Sequence, residues 1–192
     1  MLLRIIKYGE PILRQAGEDI VDFDENLAQL AEDMIETMRD AEGIGLAAQQ
    51  VEKALRLCVV EVPSNPDSPG ECILNGKALN QDLIIPFALV NPEIETLPGD
   101  DMAYNEGCLS FPEINGEVNR PDRICVSYQD LDGNHHKLEC DGLLSRCIQH
   151  ETDHLAGVLF IDKMEDDVRG EIKPDIKELK RKTRKTLKKA SK

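Results

Sequence analysis

Residues 147–157 read CIQHETDHLAG and hold two of the four histidines of the chain, His150 and His154, with Glu151 directly after the first. An α-helix turns about 100° per residue, so side chains four apart share a face, roughly 40° apart around the axis. Two imidazoles on one helical face can aim at one point. Glu151, one step off, places its carboxylate beside a metal held there and within reach of a bound water, the arrangement of HExxH hydrolases. The plainer reading is a surface helix that matches by chance. A catalytic metal site constrains the fold further, because it needs a third protein ligand and an open position.

Where the third ligand lies separates the classes of HExxH site. The long metalloprotease pattern HExxHxxGxxH is followed as far as Gly157, but its last position is Phe160, and no His or Cys lies beyond His154. The other protease pattern takes a glutamate downstream, and the nearest options to it, Asp175 and Glu178, fall in a basic, charged segment that is a poor place for a buried ligand. The third ligand is therefore expected upstream. Cys108, in NEGCLSFP, is the best candidate, since a thiolate with two imidazoles leaves one position for water. Cys147, three residues before His150, competes but suits core packing, and Cys72 falls in a long loop with nothing to anchor it.

The 192 residues, 41% of them hydrophobic, suit one domain with a full core. No apolar run is long enough to span a membrane, and the MLLRIIKYGEPILRQ start is too soon interrupted for a signal peptide, so a cytoplasmic protein with reduced thiols is expected. Cys58 and Cys125 sit in strand-like runs and are expected in the core. Net charge is −14 and uneven: from Gly170 onward ten Lys/Arg stand against three Asp/Glu, a tail of +7 on a body of −21. Such a tail is either a solvated helix or a contact for the phosphates of ribosomal RNA.

The periodicity of Leu27, Leu30, Ala31, Met34, Ile35 and Met38 predicts a helix capped by Asp24 and stopped near Gly43 by a glycine at positive φ. Residues 55–62 read as a strand, and 63–81 as a loop rich in Pro, Gly, Asn and Ser. Strands are expected at FALVNPEI and on both sides of a turn at LDGN, with His135 and His136 flanking that turn in solvent. A helix ending at Gly157 carries the two histidines, with Leu143, Leu144, Cys147, Ile148 and Leu155 on or near its buried side. The last charged helix is expected from about Glu178, with Pro174 ahead of it. Strands between helices point to an α+β domain.

Three stretches in order, GIGLAAQQ (43–50), EGCLS (106–110) and HETDHLAG (150–157), resemble the three motifs of the peptide deformylases, and the likeness runs from KYGEPILR to about Met164. The resemblance implies an α+β fold with antiparallel or mixed sheets around a central metal-binding HExxH helix, with an N-terminal helix and a charged C-terminal one. It implies a catalytic domain over 1–168 and a basic extension over 169–192. It also implies removal of the formyl group from N-formyl-methionyl nascent peptides, with Cys108, His150 and His154 as ligands and Glu151 as general base. Gln50, through its side-chain amide, and the backbone N–H of Leu109 would stabilise the oxyanion. One divalent ion is implied, Fe(II) foremost, with Zn(II), Ni(II) or Co(II) as other occupants; ligand type alone does not choose among them. The stretch with Ile44 and Gly45 would run beside the peptide, Gly107 would line the other side, and Leu143, Arg146 and Cys147 would form the methionine pocket with Ile44. Arg146 is expected to lay its aliphatic stem on the wall and its head in solvent.

Asp153 is expected to pair with Arg120, tying the helix to the strand that carries Cys108. The chain is expected to be a monomer. Two residues depart from the family pattern: Asn115, where some relatives carry arginine, and Thr152, where an apolar residue is usual. The stretch 64–85 is longer than needed and could overhang the cleft. An HExxH metalloprotease and a structural metal-binding module are the other two readings of the same residues.

Overall fold

Asp24 caps the first long helix, as its place before an apolar-periodic run requires: its Oδ1 accepts from Leu27 N at 2.9 Å. In the computed structural model, which describes residues 1–67 and 70–190, this helix is α1, Glu25–Asp40. Two residues of the expected 63–81 loop and the last two of the tail lie outside the described residues. Leu27, Ala31, Met34 and Met38 are buried, with Leu30 and Ile35 packed alongside. Burying a Leu or Met side chain of this kind contributes about 1.5–3 kcal/mol. The helix ends earlier than expected, and the left-handed residue is Glu42 (φ 56) rather than a glycine. Gly43 answers to space instead, because a Cβ there would lie 2.7 Å from Leu109 Cδ1.

The strands are β1 Gly45–Ala47, β2 Leu57–Val60, β3 Cys72–Leu74, β4 Lys77–Ala78, β5 Phe87–Thr96, β6 Asp101–Gly107, β7 Asn115–Pro121, β8 Ile124–Gln129 and β9 His135–Cys140. All pairings are antiparallel. Seven strands form one sheet in the order β1-β2-β5-β8-β9-β3-β4, and β6 and β7 make a separate hairpin. The architecture is therefore α+β with antiparallel sheets. One face of the large sheet packs on α1 through Leu46, Leu57, Val59 and Val90. Its other face packs on α2, Gly142–Leu155, through Cys58, Leu89, Val126 and Leu138 against Leu144, Ile148 and Leu155. A third core joins Ile6, Leu13, Phe111, Phe160 and Ile176. Cys58 and Cys125 are buried, as expected of core thiols.

Four expectations are corrected. The 63–81 stretch is not one loop: Asn75 and Gly76 (φ 51 and 77) turn β3 into β4. Asn-Gly is the pair that a two-residue hairpin of this twist demands. Strand β3 pairs with β9, so Cys72 is buried opposite Cys140 instead of loose; β3 and β4 lie at the sheet edge opposite β1, and no described residue of 64–85 is among those lining the cleft. Leu143 is 42% exposed, because it stands one step off the stripe through Leu144, Cys147, Ile148 and Leu155. The last helix, α3 Asp166–Ala190, starts earlier than expected and contains Pro174. Ile176, Thr183 and the half-buried Ile172 and Leu179 hold it along the body, and this packing outweighs the hydrogen bond that proline removes. Among the described residues no helix is long and apolar enough to cross a membrane.

The turn between β8 and β9 is organised by Asp130. Its Oδ1 accepts from Asp132 N and Asn134 N at 3.0 and 2.8 Å, and its Oδ2 from the half-buried His136 at 2.8 Å. His135 remains exposed, as expected. Burial pushes the Asp130 carboxyl up, but the hydrogen bonds from His136 and Asn134 outweigh it and hold the group at about 2, below its ordinary 3.8. A value lower in the folded than in the unfolded chain stabilises the fold fully above the ordinary value, and the contribution is lost as pH falls through the folded one. Replacing Asp130 with alanine is expected to lower the unfolding free energy at neutral pH by about 1–2 kcal/mol. In urea titrations the gap between variant and parent should close as the solution is acidified towards the folded value.

Candidate metal centre and cleft

Helix α2 carries His150 and His154 on the face turned away from solvent, with ring centroids 5.1 Å apart. Cys108 follows directly on β6, and its Sγ stands 3.3 Å from His154 Nε2. One ligand atom from each of Cys108, His150 and His154 lies within 4.8 Å of the others. Among the described residues this is the only such group of His, Cys, Asp and Glu. Neither competitor takes part. The Cys147 thiol donates to Ile44 O at 3.3 Å, and burial holds it well above its ordinary value. Glu178 is paired with Arg181 on α3.

Beside this group the Glu151 carboxylate is buried, and its Oε2 has no hydrogen-bonding partner among the described residues. Burial raises the group to about 7. Strand β1 passes so close that a Cβ on Gly45 would meet Glu151 Oε1 at 2.4 Å, so only glycine leaves the carboxylate its place. A thiol, two imidazoles and an unpartnered carboxylate converging in a cleft suit a divalent ion with a water in an open position.

The orientation of His150 comes from a residue that the motif reading passed over. Glu106 is buried, and its Oε2 accepts from His150 Nδ1 at 3.0 Å. Its Oε1 accepts from Arg120 Nε and Arg146 Nη1, both at 2.7 Å, and Oε2 also takes Arg120 Nη2 at 3.1 Å. Burial works against the charge, yet the bonds from His150 and Arg120 hold the carboxyl at about 2. An ionised carboxylate only accepts, so a proton sits on His150 Nδ1, and Nε2 is the ring nitrogen left to serve as a metal ligand. Arg120 also donates to Asp153 Oδ2 at 2.6 Å, so the structure pairs the two residues expected to pair. Two arginines at strand and helix positions with an inward periodicity need a buried carboxylate, and that need was the available signal for Glu106.

Arg146 departs from expectation. Its head does not reach solvent: it binds Glu106 and Val118 O (3.1 Å), donates to Met102 O, and lies 5.4 Å from the Tyr104 ring centroid. It stands one helical turn before His150 and faces the β6–β7 hairpin, where the Glu106 charge draws it in. The cleft, about 520 Å³, is lined by Ile44, Gly45, Gln50, Gly107, Leu109, Leu143, Arg146 and Cys147 among others, together with Cys108, His150 and Glu151. His154, Asp153 and Arg120 are not among its lining residues.

Gln50 and Gln49 part ways. Gln50 Oε1 accepts from Ala47 N at 2.8 Å, which turns Nε2 towards Cys108 Sγ (3.5 Å) and Ser110 Oγ (3.2 Å). Gln49 points into the interior, towards Leu155 O. Asn115 lines the cleft and faces Gly107 across the hairpin. Thr152 is only partly exposed, and its Oγ1 has no partner among the described residues.

The charge of Glu106 is thus expected to matter to metal retention as well as to folding. Glu106→Gln should weaken the hold on added Zn(II) about 10–100-fold, read by competition with a chromophoric chelator. It should also lower the thermal midpoint, because two guanidiniums lose a shared counter-ion.

A family model described as polypeptide deformylase matches residues 2–169. The peptide deformylase of Opitutus terrae is 52% identical over 186 residues, spanning 96% of each chain. That of Zymomonas mobilis is 44% identical, over 85% of this chain and 86% of its own. Among solved structures, a plant peptide deformylase superposes with a TM-score of 0.81 at 36% identity, covering 96% of this chain and 92% of that one. An inhibitor complex of the Plasmodium falciparum peptide deformylase gives 0.77 at 36%, covering 92% and 99%. The chain belongs to the polypeptide deformylase family.

Proposed function

We propose that this chain is a metal-dependent hydrolase that removes the formyl group from the N-terminal formyl-methionine of newly synthesised proteins and releases formate. The observation that carries the reading is the convergence of Cys108, His150 and His154 beside the unpartnered Glu151 carboxylate, in a cleft bordered by an edge strand. A divalent ion held by the thiolate and the two imidazoles supplies Lewis acidity and a water acidified towards neutrality. Fe(II) is the native occupant under this reading, with Zn(II), Ni(II) and Co(II) able to take its place. Glu151 accepts a proton from the attacking water and delivers it to the departing nitrogen. Gln50 Nε2, aimed by the Ala47 bond on its other end, and the Leu109 N–H stabilise the oxyanion, each by about 3 kcal/mol. Gly45 and Gly107 flank the peptide backbone, and Ile44, Leu143 and Cys147 receive the methionine side chain with the Arg146 stem behind them.

The decisive measurement is formate release from a formyl-methionyl peptide by iron-loaded protein under anaerobic conditions. Glu151→Gln should keep its metal and lose at least ~100-fold in kcat, while Cys108→Ala should lose the metal itself. Cleavage at internal peptide bonds without formate would instead favour a protease.

The working arrangement is a cytoplasmic monomer, with residues 1–168 as the catalytic domain and 169–192 as a basic extension that meets ribosomal RNA. Helix α3 supports this second role by its two faces: Ile172, Ile176, Leu179 and Thr183 lie along the body, while Lys173, Lys177, Arg184, Lys185 and Lys188 are exposed. Truncation would uncover the inner face, so the test keeps the helix and changes the outer charges. Glutamine at those five positions should reduce salt-sensitive co-sedimentation with ribosomes and leave turnover of free peptides unchanged. Undiminished co-sedimentation at low salt would refute the contact.

A further inference from the structure

The loop that follows Cys108 is a four-residue turn, closed by Phe111 N donating to Cys108 O at 2.8 Å. Its central peptide joins Leu109 to Ser110. In such a turn that peptide can flip, and flipping exchanges one turn type for another without breaking the closing bond. The flipped form requires positive φ at the third residue, which Ser110 does not have here. Orientation of this peptide matters, because the Ser110 hydroxyl accepts from Gln50 Nε2 at 3.2 Å and so holds the amide proposed above as an oxyanion donor.

One side chain grips the peptide from outside the turn. Lys7, 102 positions earlier in the chain, donates from Nζ to Leu109 O at 2.7 Å. It is half-buried, lines the cleft, and bears a desolvation cost that lowers its pKa. Its neighbours in sequence tie down the same two loops through the backbone: Ile6 N donates to Gln50 O at 2.8 Å and Tyr8 N to Ser110 O at 2.9 Å. The Tyr8 ring stacks on Phe111 with centroids 4.6 Å apart.

We propose that Lys7 is a positioning residue for the deformylation centre: by holding the Leu109 carbonyl it locks the turn after Cys108 in the one orientation that presents Ser110, and through it Gln50, to the reacting group. The proposal rests on the hydrolase reading above. The ammonium is suited to this task, since it has three donors, no acceptor, and a long stem that spans from the N-terminal segment to the loop.

The test uses the full-length, metal-loaded protein with Lys7→Met and Lys7→Arg. Lys7→Met keeps the stem and removes the donors. It is expected to lower kcat on a formyl-methionyl peptide roughly 10- to 30-fold, less than removal of an oxyanion donor itself. KM, metal content and thermal midpoint should stay close to the parent. Amide exchange at Phe111, whose N–H closes the turn, should quicken about tenfold or more in the same variant, because a turn released by Lys7 also opens more often at its closing bond. Lys7→Arg, which keeps a charged donor, should recover most of the lost kcat. An unchanged kcat in Lys7→Met overturns the proposal, as does a loss that tracks lost metal or a lowered midpoint, or one that Lys7→Arg fails to recover. If the parent protein itself releases no formate, the hydrolase reading fails. The exchange measurement then still reports whether Lys7 pins the turn.

Discussion

A buried carboxylate, Glu106, underlies the rest of the structure. It sits where three elements meet: its own strand β6, the partner strand β7 with Arg120, and helix α2 with Arg146 and His150. Taking these ions out of water is costly, and a lone charge there would not be tolerated. The set is balanced instead. Two guanidiniums face the carboxylates of Glu106 and Asp153, and His150 needs no charge of its own to donate from Nδ1. The same bonds that compensate the charge set the angle of the His150 ring and dock the hairpin that carries Cys108. Orientation of the reactive group and attachment of its supporting strand are therefore one interaction.

Local patterns are legible in the sequence where neighbours along the chain decide the outcome. The Asp24 cap, the apolar stripe of α1, and the one-turn spacing of His150 and His154 all depend on residues a few positions apart. The absence of any His or Cys beyond His154 points upstream for a third ligand, and there Cys108 stands out over Cys147, which suits core packing. What stayed hidden depends on contacts across the fold. Glu106 looks like an ordinary strand acid until β6–β7 pairing and α2 bring two arginines to it. The long side chain of Arg146 suggests a head in solvent, and a buried counter-charge, Glu106, draws it inward instead. Pro174 should break a helix in isolation, and only the stripe packed along the body explains why α3 passes through it.

The three cores divide the labour. One fastens α1 to the sheet and leaves β1 at its edge. The second fastens α2 to the opposite face and sets the height of the histidines. The third gathers the N-terminal segment, the loop after Cys108 and α3. Tyr8 belongs to this last group, stacked on Phe111, with Lys180 of α3 5.7 Å from its ring centroid. The chain's beginning and its basic final helix thus meet immediately behind the loop that holds the thiol.

The large sheet has two ends, and they are finished differently. At one, the Asn75–Gly76 turn folds a two-residue strand, Lys77–Ala78, over the border, short and charged enough to discourage another molecule from joining the ladder. At the other, β1 is also brief, and it borders the cleft that Cys108, His150 and Glu151 line. Strand addition, the usual route by which exposed sheets stick to one another, is thereby discouraged at the first border and left a recess at the second. Under the hydrolase reading, an extended chain laid along β1 would lengthen the sheet by one strand and bring its end to the Cys108 corner, so substrate capture and sheet growth would be the same event.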